Sequence, residues 1–273
     1  MARLSIGTIF FSAVILLVTT HVNAGLDEDL VFYLDFDNVK KQTIGDTSGN
    51  GLDAEIIENT EIVKGKYGDA IHITNNGQDC VNIPSQEKLK VVDEITMMAW
   101  VYYQETWKGK KVHWIDKGCH WFAVKWGASY GIGSIDIGSG PEIWLLLGAR
   151  TDHGGSDRQE FIVPHKMKEK RWHHVAGSYD GKTTKIYLDG EVMGEEKQEF
   201  NFIGDNIASV WIGCARNKYA FVNGSIDEAA VWRRALSEAE IKQAMSGNFL
   251  AVSPTDKVAT TWADIKIMQL FEF

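Results

Sequence analysis

Proline and cysteine are both scarce in this chain of 273 residues, at 4 and 3. No linker rich in proline, glycine or serine divides it, so one large domain is expected rather than two small ones. Cys80, Cys119 and Cys214 are far apart and form no CxxC, which excludes the common zinc and dithiol motifs. Cys119 and Cys214 each follow a glycine at a strand edge and are the expected disulfide in an oxidising compartment. Other pairings, and three free thiols, stay open. Basic runs are also missing: 28 Lys and Arg stand against 37 Asp and Glu, a net charge of -9. That balance excludes nucleic acid and anionic membrane surfaces as partners.

A long apolar run occurs at the N-terminus, from Ile6 to Val18, behind Arg3 and ahead of the small residues Val22-Asn23-Ala24. It is short for a membrane span, which needs about 20 apolar residues. Residues 1–24 therefore read as a signal peptide, with an uncleaved anchor as the alternative. No cysteine stands at the cleavage point to take a lipid. The mature chain is expected to start at Gly25, to keep no membrane span, and to be secreted, periplasmic or held at the cell surface.

Helical periodicity is nearly absent as well. Short apolar segments separated by turn signals run through the chain: Leu30 to Phe36, Leu52 to Ile57, Ala70 to Thr74 and Cys80 to Ile83. Ile95 to Tyr103, Val112 to Ile115, His120 to Trp126, Glu142 to Leu147 and Trp172 to Tyr179 follow, then Lys185 to Leu188 and Ala208 to Gly213. Such spacing predicts an all-β sandwich or barrel. Gly127 to Gly140 and Asp152 to Arg158 read as polar, glycine-rich loops. Near the C-terminus a strand from Ile226 to Val231 leads into Ser237, with Glu240 three residues on as a capping box. Ile241, Ala244 and Met245 make one helical stripe, stopped by Gly247.

That closing stretch, GSIDEAAVWRRALSEAEI, resembles the end of LamG-like jelly-roll domains of the concanavalin A-like lectin/glucanase superfamily. Phe36-Asp37, the Asp46 to Gly51 turn (DTSGNG), Thr96 to Val101, Trp172 to Gly181 (WHHVAGSYDG) and Ile186 to Gly190 match the same family in order. The resemblance covers Gly25 to Gly247 and implies a two-sheet antiparallel jelly-roll sandwich with one short C-terminal helix, followed by a tail over 248–273. It speaks for the fold far more than for an activity.

An enzyme of the glucanase kind would need two carboxylates about 5 Å apart. The ExDxxE motif of laminarinase-like enzymes is missing, and Asp227-Glu228 are adjacent, hence expected on opposite faces of their strand. His173 and His174 read as strand residues, one outward and one packed. Calcium fits the residues better, because it takes six to eight hard oxygens from carboxylates, amides and carbonyls. Asp37, Asp46, Asn50 and Asp227 are the candidate ligands, since the resemblance places the first and last strands side by side. The competing reading has Asp46 and Asn50 capping their own turn and Asp227 capping the last strand.

Sugar binding would draw on the aromatic residues of the middle of the chain: Trp107, Trp121, Trp126, Tyr130 and Trp144. The expectation is a non-catalytic module for extracellular or cell-surface glycans with one structural calcium ion. A protein–protein adhesion or scaffolding domain and a polysaccharide hydrolase without a recognisable motif are the alternatives.

Overall fold

A computed structural model describes residues 25–74, 79–104, 111–118, 129–136, 138, 140–150, 156–198, 207–215, 222–247 and 249–250. In chain order the strands are β1 (Leu30–Leu34), β2 (Val39–Lys40), β3 (Thr43–Ile44), β4 (Ala54–Ile57), β5 (Glu61–Lys64), β6 (Asp69–Ile73) and β7 (Cys80–Ile83). After a short 3-10 turn at Glu87–Leu89 come β8 (Ile95–Tyr103), β9 (Lys111–Lys117), β10 (Tyr130–Asp136), β11 (Pro141–Arg150) and β12 (Ser156–Pro164). The last are β13 (Arg171–Tyr179), β14 (Thr183–Leu188), β15 (Glu191–Lys197), β16 (Val210–Ile212) and β17 (Gly224–Trp232), then helix α1 (Glu238–Ala244).

They pair into two antiparallel sheets. An eight-stranded sheet runs β15-β14-β13-β8-β17-β6-β5, with β1 beside β17, and a nine-stranded sheet runs β12-β11-β10-β9-β16-β7-β4-β3-β2. This is the expected all-β jelly-roll sandwich. The first and last long strands are neighbours, Tyr33 standing opposite Ala230. The main core fills the space between the sheets, with Phe32, Val101, Trp114, Ile132, Leu145 and Ile226 among its members. No helix among the described residues is long and apolar enough to cross a membrane.

The central strand β8 shows no apolar/polar alternation because both its faces are covered. Val101 and Ala99 enter the main core, while Met98 faces a second cluster with Tyr33, Trp232, Leu236 and Ile241 on the outer face. Helix α1 closes that cluster. Ser237 caps it reciprocally with Glu240, as the sequence predicts. The Thr96 hydroxyl pins the approach by donating to the Arg234 carbonyl (2.8 Å) and accepting from the Leu236 amide (2.8 Å). Phe249 adds its ring 4.4 Å from that of Tyr33.

Two expected loops are strands. Tyr130–Asp136 lies inside the expected 127–140 loop, and Ser156–Pro164 overlaps the expected 152–158 loop. Gly133 of β10 is a packing requirement rather than a turn signal. A Cβ on Gly133 would meet the Val112 carbonyl and come within 2.7 Å of the Trp144 indole. Gly133 is a glycine because a tryptophan lies across it.

Candidate functional site

The four expected calcium ligands do not gather at one point, and the loop residues explain why. Asp46 spends its carboxylate on protein donors: Oδ1 accepts from the Tyr33 and Ser48 amides (3.1 and 3.0 Å), and Oδ2 from the Ser48 hydroxyl and the Leu52 amide (2.8 and 3.0 Å). The Asn50 amide donates to the carbonyls of Leu30 (2.7 Å) and Val31 (3.0 Å). With the Thr47 amide on the Tyr33 carbonyl (2.9 Å), the loop pairs the edge of β1 opposite β17. Its acid and amide are edge fasteners, so Asp46 and Asn50 leave the expected metal set.

Asp37 and Asp227 do meet one segment, the tight turn between β5 and β6. The Asp69 amide donates to Asp37 (2.6 Å), and the Tyr67 amide to Asp227 Oδ2 (2.9 Å). A Cβ on Gly65 would collide with Asp227 and lie 2.8 Å from the carbonyls of Tyr67 and Asp69, so three oxygens face one small space. Glu228 joins this group, against the expectation from alternation. A bulge between Asp227 and Ala230, with Glu228 at φ 55, turns Glu228 to bond the Tyr33 hydroxyl on the face that Asp227 occupies. Burial pushes Asp227 up to about 8, aided by the charge of Glu228 and opposed by the Tyr67 amide. Burial also lifts Glu228 to about 7, with Asp35 and Asp37 adding repulsion and the Tyr33 hydrogen bond opposing it. Among the described residues, no group of three or more His, Cys, Asp or Glu side chains is arranged to hold a metal ion. Any cation here would lean on main-chain carbonyls.

Two of the five expected aromatic platforms are corrected by the structure. Tyr130 and Trp144 are fully buried. Tyr130 sits in the main core with its hydroxyl on the Leu89 carbonyl (3.2 Å). Trp144 donates its indole N–H to the Ser134 carbonyl (3.1 Å) and packs with Leu146 and Ile135. Large rings on interior positions are retained by the area they bury, which leaves no face for a sugar. Trp107, Trp121 and Trp126 lie outside the described residues, as do residues 1–24, 251–273 and Cys119. Cys214 is buried, so the expected disulfide has one described end. His173 and His174 are both packed, correcting the expected inside–outside pair.

The outer face of the nine-stranded sheet carries the most chemistry. Cross-strand register lines up Glu55 of β4, Asn82 of β7, Trp211 of β16 and Asp116 of β9 in one row. His113 reaches the same face because β9 bulges opposite Ile132 and Gly133 of β10. Residues three apart in a regular strand point opposite ways, yet here His113 Nδ1 lies 2.9 Å from Asp116 Oδ2. The imidazole meets the Trp144 ring edge-on at 4.5 Å. Lys111 lies 4.1 Å over the same ring and pairs with Glu160. Asp116 is fully buried, and among the described residues its Oδ1 has no hydrogen-bond partner. The face therefore grades from a packed His–Asp–Trp half to an open half, where Glu55 is exposed and Trp211 half-buried.

Sequence reasoning missed this row. Trp211 had a readable signal, since it alternates with the core residues Val210 and Ile212; its half-buried ring still packs in part against the main core. The meeting of His113 with Asp116 had none, because it depends on the bulge.

A search among curated proteins gave no match. Among solved structures, domain 4 of AbnA, an extracellular GH43 arabinanase from Geobacillus stearothermophilus determined with arabinotriose, is similar over 79% of this chain and 98% of its own, at 18% identity and a TM-score of 0.59. The binding domain of Paraclostridial Mosquitocidal Protein 1 matches 80% of this chain at 18% identity and a TM-score of 0.60. The receptor binding domain of a botulinum neurotoxin C/D mosaic serotype matches 82% at 14% and 0.59. The chain spans about half of each toxin domain, 52% in both. At these identities the likeness shows the fold. A family model described as Concanavalin A-like lectin/glucanases superfamily matches residues 75–242, and it is to this family that the chain belongs.

Proposed function

We propose that the chain is an exported, non-catalytic carbohydrate-binding module, whose ligand lies across the open half of the nine-stranded sheet's outer face. The row Glu55, Asn82, Trp211 and Asp116 carries the reading. An indole flanked by carboxylate and amide groups suits a sugar, whose apolar ring face stacks while its hydroxyls find acceptors and donors. Buried Asp116 acts from behind by holding His113, whereas Trp211 and Glu55 meet the ligand. The arabinotriose bound to domain 4 of the arabinanase supports an oligosaccharide as the ligand class.

Among the described residues, the row keeps its two acids, Glu55 and Asp116, apart with Asn82 and Trp211 between them, whereas a glycosidase sets its pair across one bond. Asp227 and Glu228 are adjacent and have raised pKa values, but they are 0% and 2% exposed, so substrate cannot reach them. Titration of the full chain with arabinotriose and a panel of neutral oligosaccharides, followed by tryptophan fluorescence and calorimetry, tests the site. Trp211→Ala is expected to abolish binding of the sugar that wild type takes. Undiminished affinity in that variant would sink the assignment.

The same reading keeps one structural calcium ion at the β5–β6 turn, held by Asp37 and Asp227 with the carbonyls of Tyr67 and Asp69. A divalent cation there would neutralise exposed Asp37 and buried Asp227 together and tie the first strand to the last. Thermal melts in excess EDTA and in millimolar Ca²⁺ test it. Stabilisation of about 2.7 kcal/mol is expected when calcium stands at 100 times its dissociation constant. Coincident melts would remove the ion. A protein partner is the second reading, favoured by Val192 and Met193, which stand exposed on the edge strand β15.

A further inference from the structure

On the opposite side of the molecule, a cavity of about 400 Å³ opens between the outer face of β13–β15 and the Ala235–Glu240 segment leading into α1. Its position follows from two constraints already described. Thr96 holds the segment down near Leu236, and the capping box fixes where the helix begins. The sheet beneath, from Ser178 across to Lys185, is left uncovered.

The floor holds two hydroxyls that face the cavity. Ser178 and Tyr187 line it with most of each residue buried, and among the described residues neither hydroxyl has a hydrogen-bond partner. Neither oxygen is cut off from water, so both stay open to a ligand that enters. Three of the four charged residues on the lining are ion-paired. Lys185 pairs with Glu195, Glu238 with Lys242, and Glu240 with Arg234 and the Ser237 hydroxyl. Asp180 spends Oδ1 on the amides of its own turn. Val192 and Leu236 supply apolar wall.

We propose that this cavity is a second ligand site, taking a neutral, hydroxyl-rich molecule of one or two sugar units through Ser178 and Tyr187. The ion pairs leave Asp180 as the lining carboxylate without a cation among the described residues, an acceptor for hydroxyl groups, while the two hydroxyls each donate and accept, as a sugar hydroxyl does. The volume falls within the range of small-molecule sites, roughly 300–1,000 Å³. The proposal stands apart from the reading of the nine-stranded sheet.

Two-dimensional amide NMR of the full chain, titrated with glucose, galactose, xylose, arabinose and their disaccharides, tests it. At least one sugar is expected to give saturable shifts at the amides of Ser178, Lys185, Ala235 and Leu236. Tyr187→Phe removes one oxygen while keeping the ring in its apolar cluster, and Ser178→Ala removes the other. Each is expected to weaken the sugar about tenfold, the worth of one good hydrogen bond. Trp211→Ala should leave these shifts in place, even where it abolishes binding on the other face. Absence of saturable shifts with every sugar, or shifts indifferent to both hydroxyl deletions, would overturn the proposal and leave a hydrated cleft.

Discussion

The two outer faces of the sandwich face the same problem and solve it differently. On the eight-stranded sheet, Tyr33, Met98, Trp232 and Leu236 collect under α1 into an apolar second core. On the nine-stranded sheet, His113, Asp116 and Trp144 form a mixed polar and aromatic layer that opens toward Trp211. An apolar face needs a lid and gains stability from it; a mixed face forgoes part of that stability and retains hydrogen-bonding groups. The difference lies in how much of each face the chain covers with its own apolar side chains.

Tryptophan truncation on each face is the strongest way to break the comparison. Trp232 is fully buried and donates to the Leu26 carbonyl (2.7 Å), so Trp232→Ala is expected to cost about 3–5 kcal/mol in urea unfolding. Trp211→Ala should cost about 1 kcal/mol while abolishing sugar binding. Equal losses of stability would erase the distinction between the faces.

Asp46→Ala comes next. It strips four hydrogen bonds from the fastener on β1, leaving the Tyr33 amide without its acceptor, and a loss of about 2–3 kcal/mol is expected. The loss should be the same in EDTA and in calcium, since Asp46 serves the strand edge. A calcium-dependent loss would return Asp46 to the metal set.

The pH dependence sharpens the contrast with a smaller effect. Burial holds His174 down at about 3 and, with the nearby charge of His173, His165 at about 4, against an ordinary 6.5. The unfolded chain protonates these imidazoles first, so stability falls as pH drops from 6.5 toward 3. The raised acids act with the opposite sign. Asp227, at about 8 in the fold and 3.8 unfolded, and Glu228, at about 7 and 4.5, lose stability as pH climbs through those windows. The slopes oppose one another between 3.8 and 6.5, and above 6.5 the acids act alone. Urea unfolding in EDTA should therefore weaken from pH 6.5 to 8, and Asp227→Asn should flatten that arm. An arm unchanged by the substitution would sink its assignment to this pair.

Smallest of all is the cap on the lid. Ser237→Ala removes the acceptor for the Glu240 amide and should cost about 1 kcal/mol. It should also loosen the segment above the second cavity, shifting the amide signals of Ala235 and Leu236 with no sugar present.

Much of the fold was legible because its signals are local. Ile95–Tyr103 and the Ser237 capping box stand where the sequence predicts them. The misses share one cause, which is dependence on a distant residue. Gly133 looks like a loop glycine until Trp144 is laid across it, and Tyr130 looks like a platform until the sheets close over it. Asp227 and Glu228 look opposed until the bulge turns Glu228 toward Tyr33.

The sequence by itself determined an all-β chain, its family, the closing strand and helix, and an excess of acidic over basic residues. These follow from alternation, turn chemistry and composition, which act within a few residues of each other. Only the tertiary structure decided which acids meet, which aromatic rings are buried, and that Trp211 shares a row with Asn82 and Asp116. Those outcomes depend on register and bulges between strands far apart in the chain, and a single-residue slip would send every side chain of a strand to the other face.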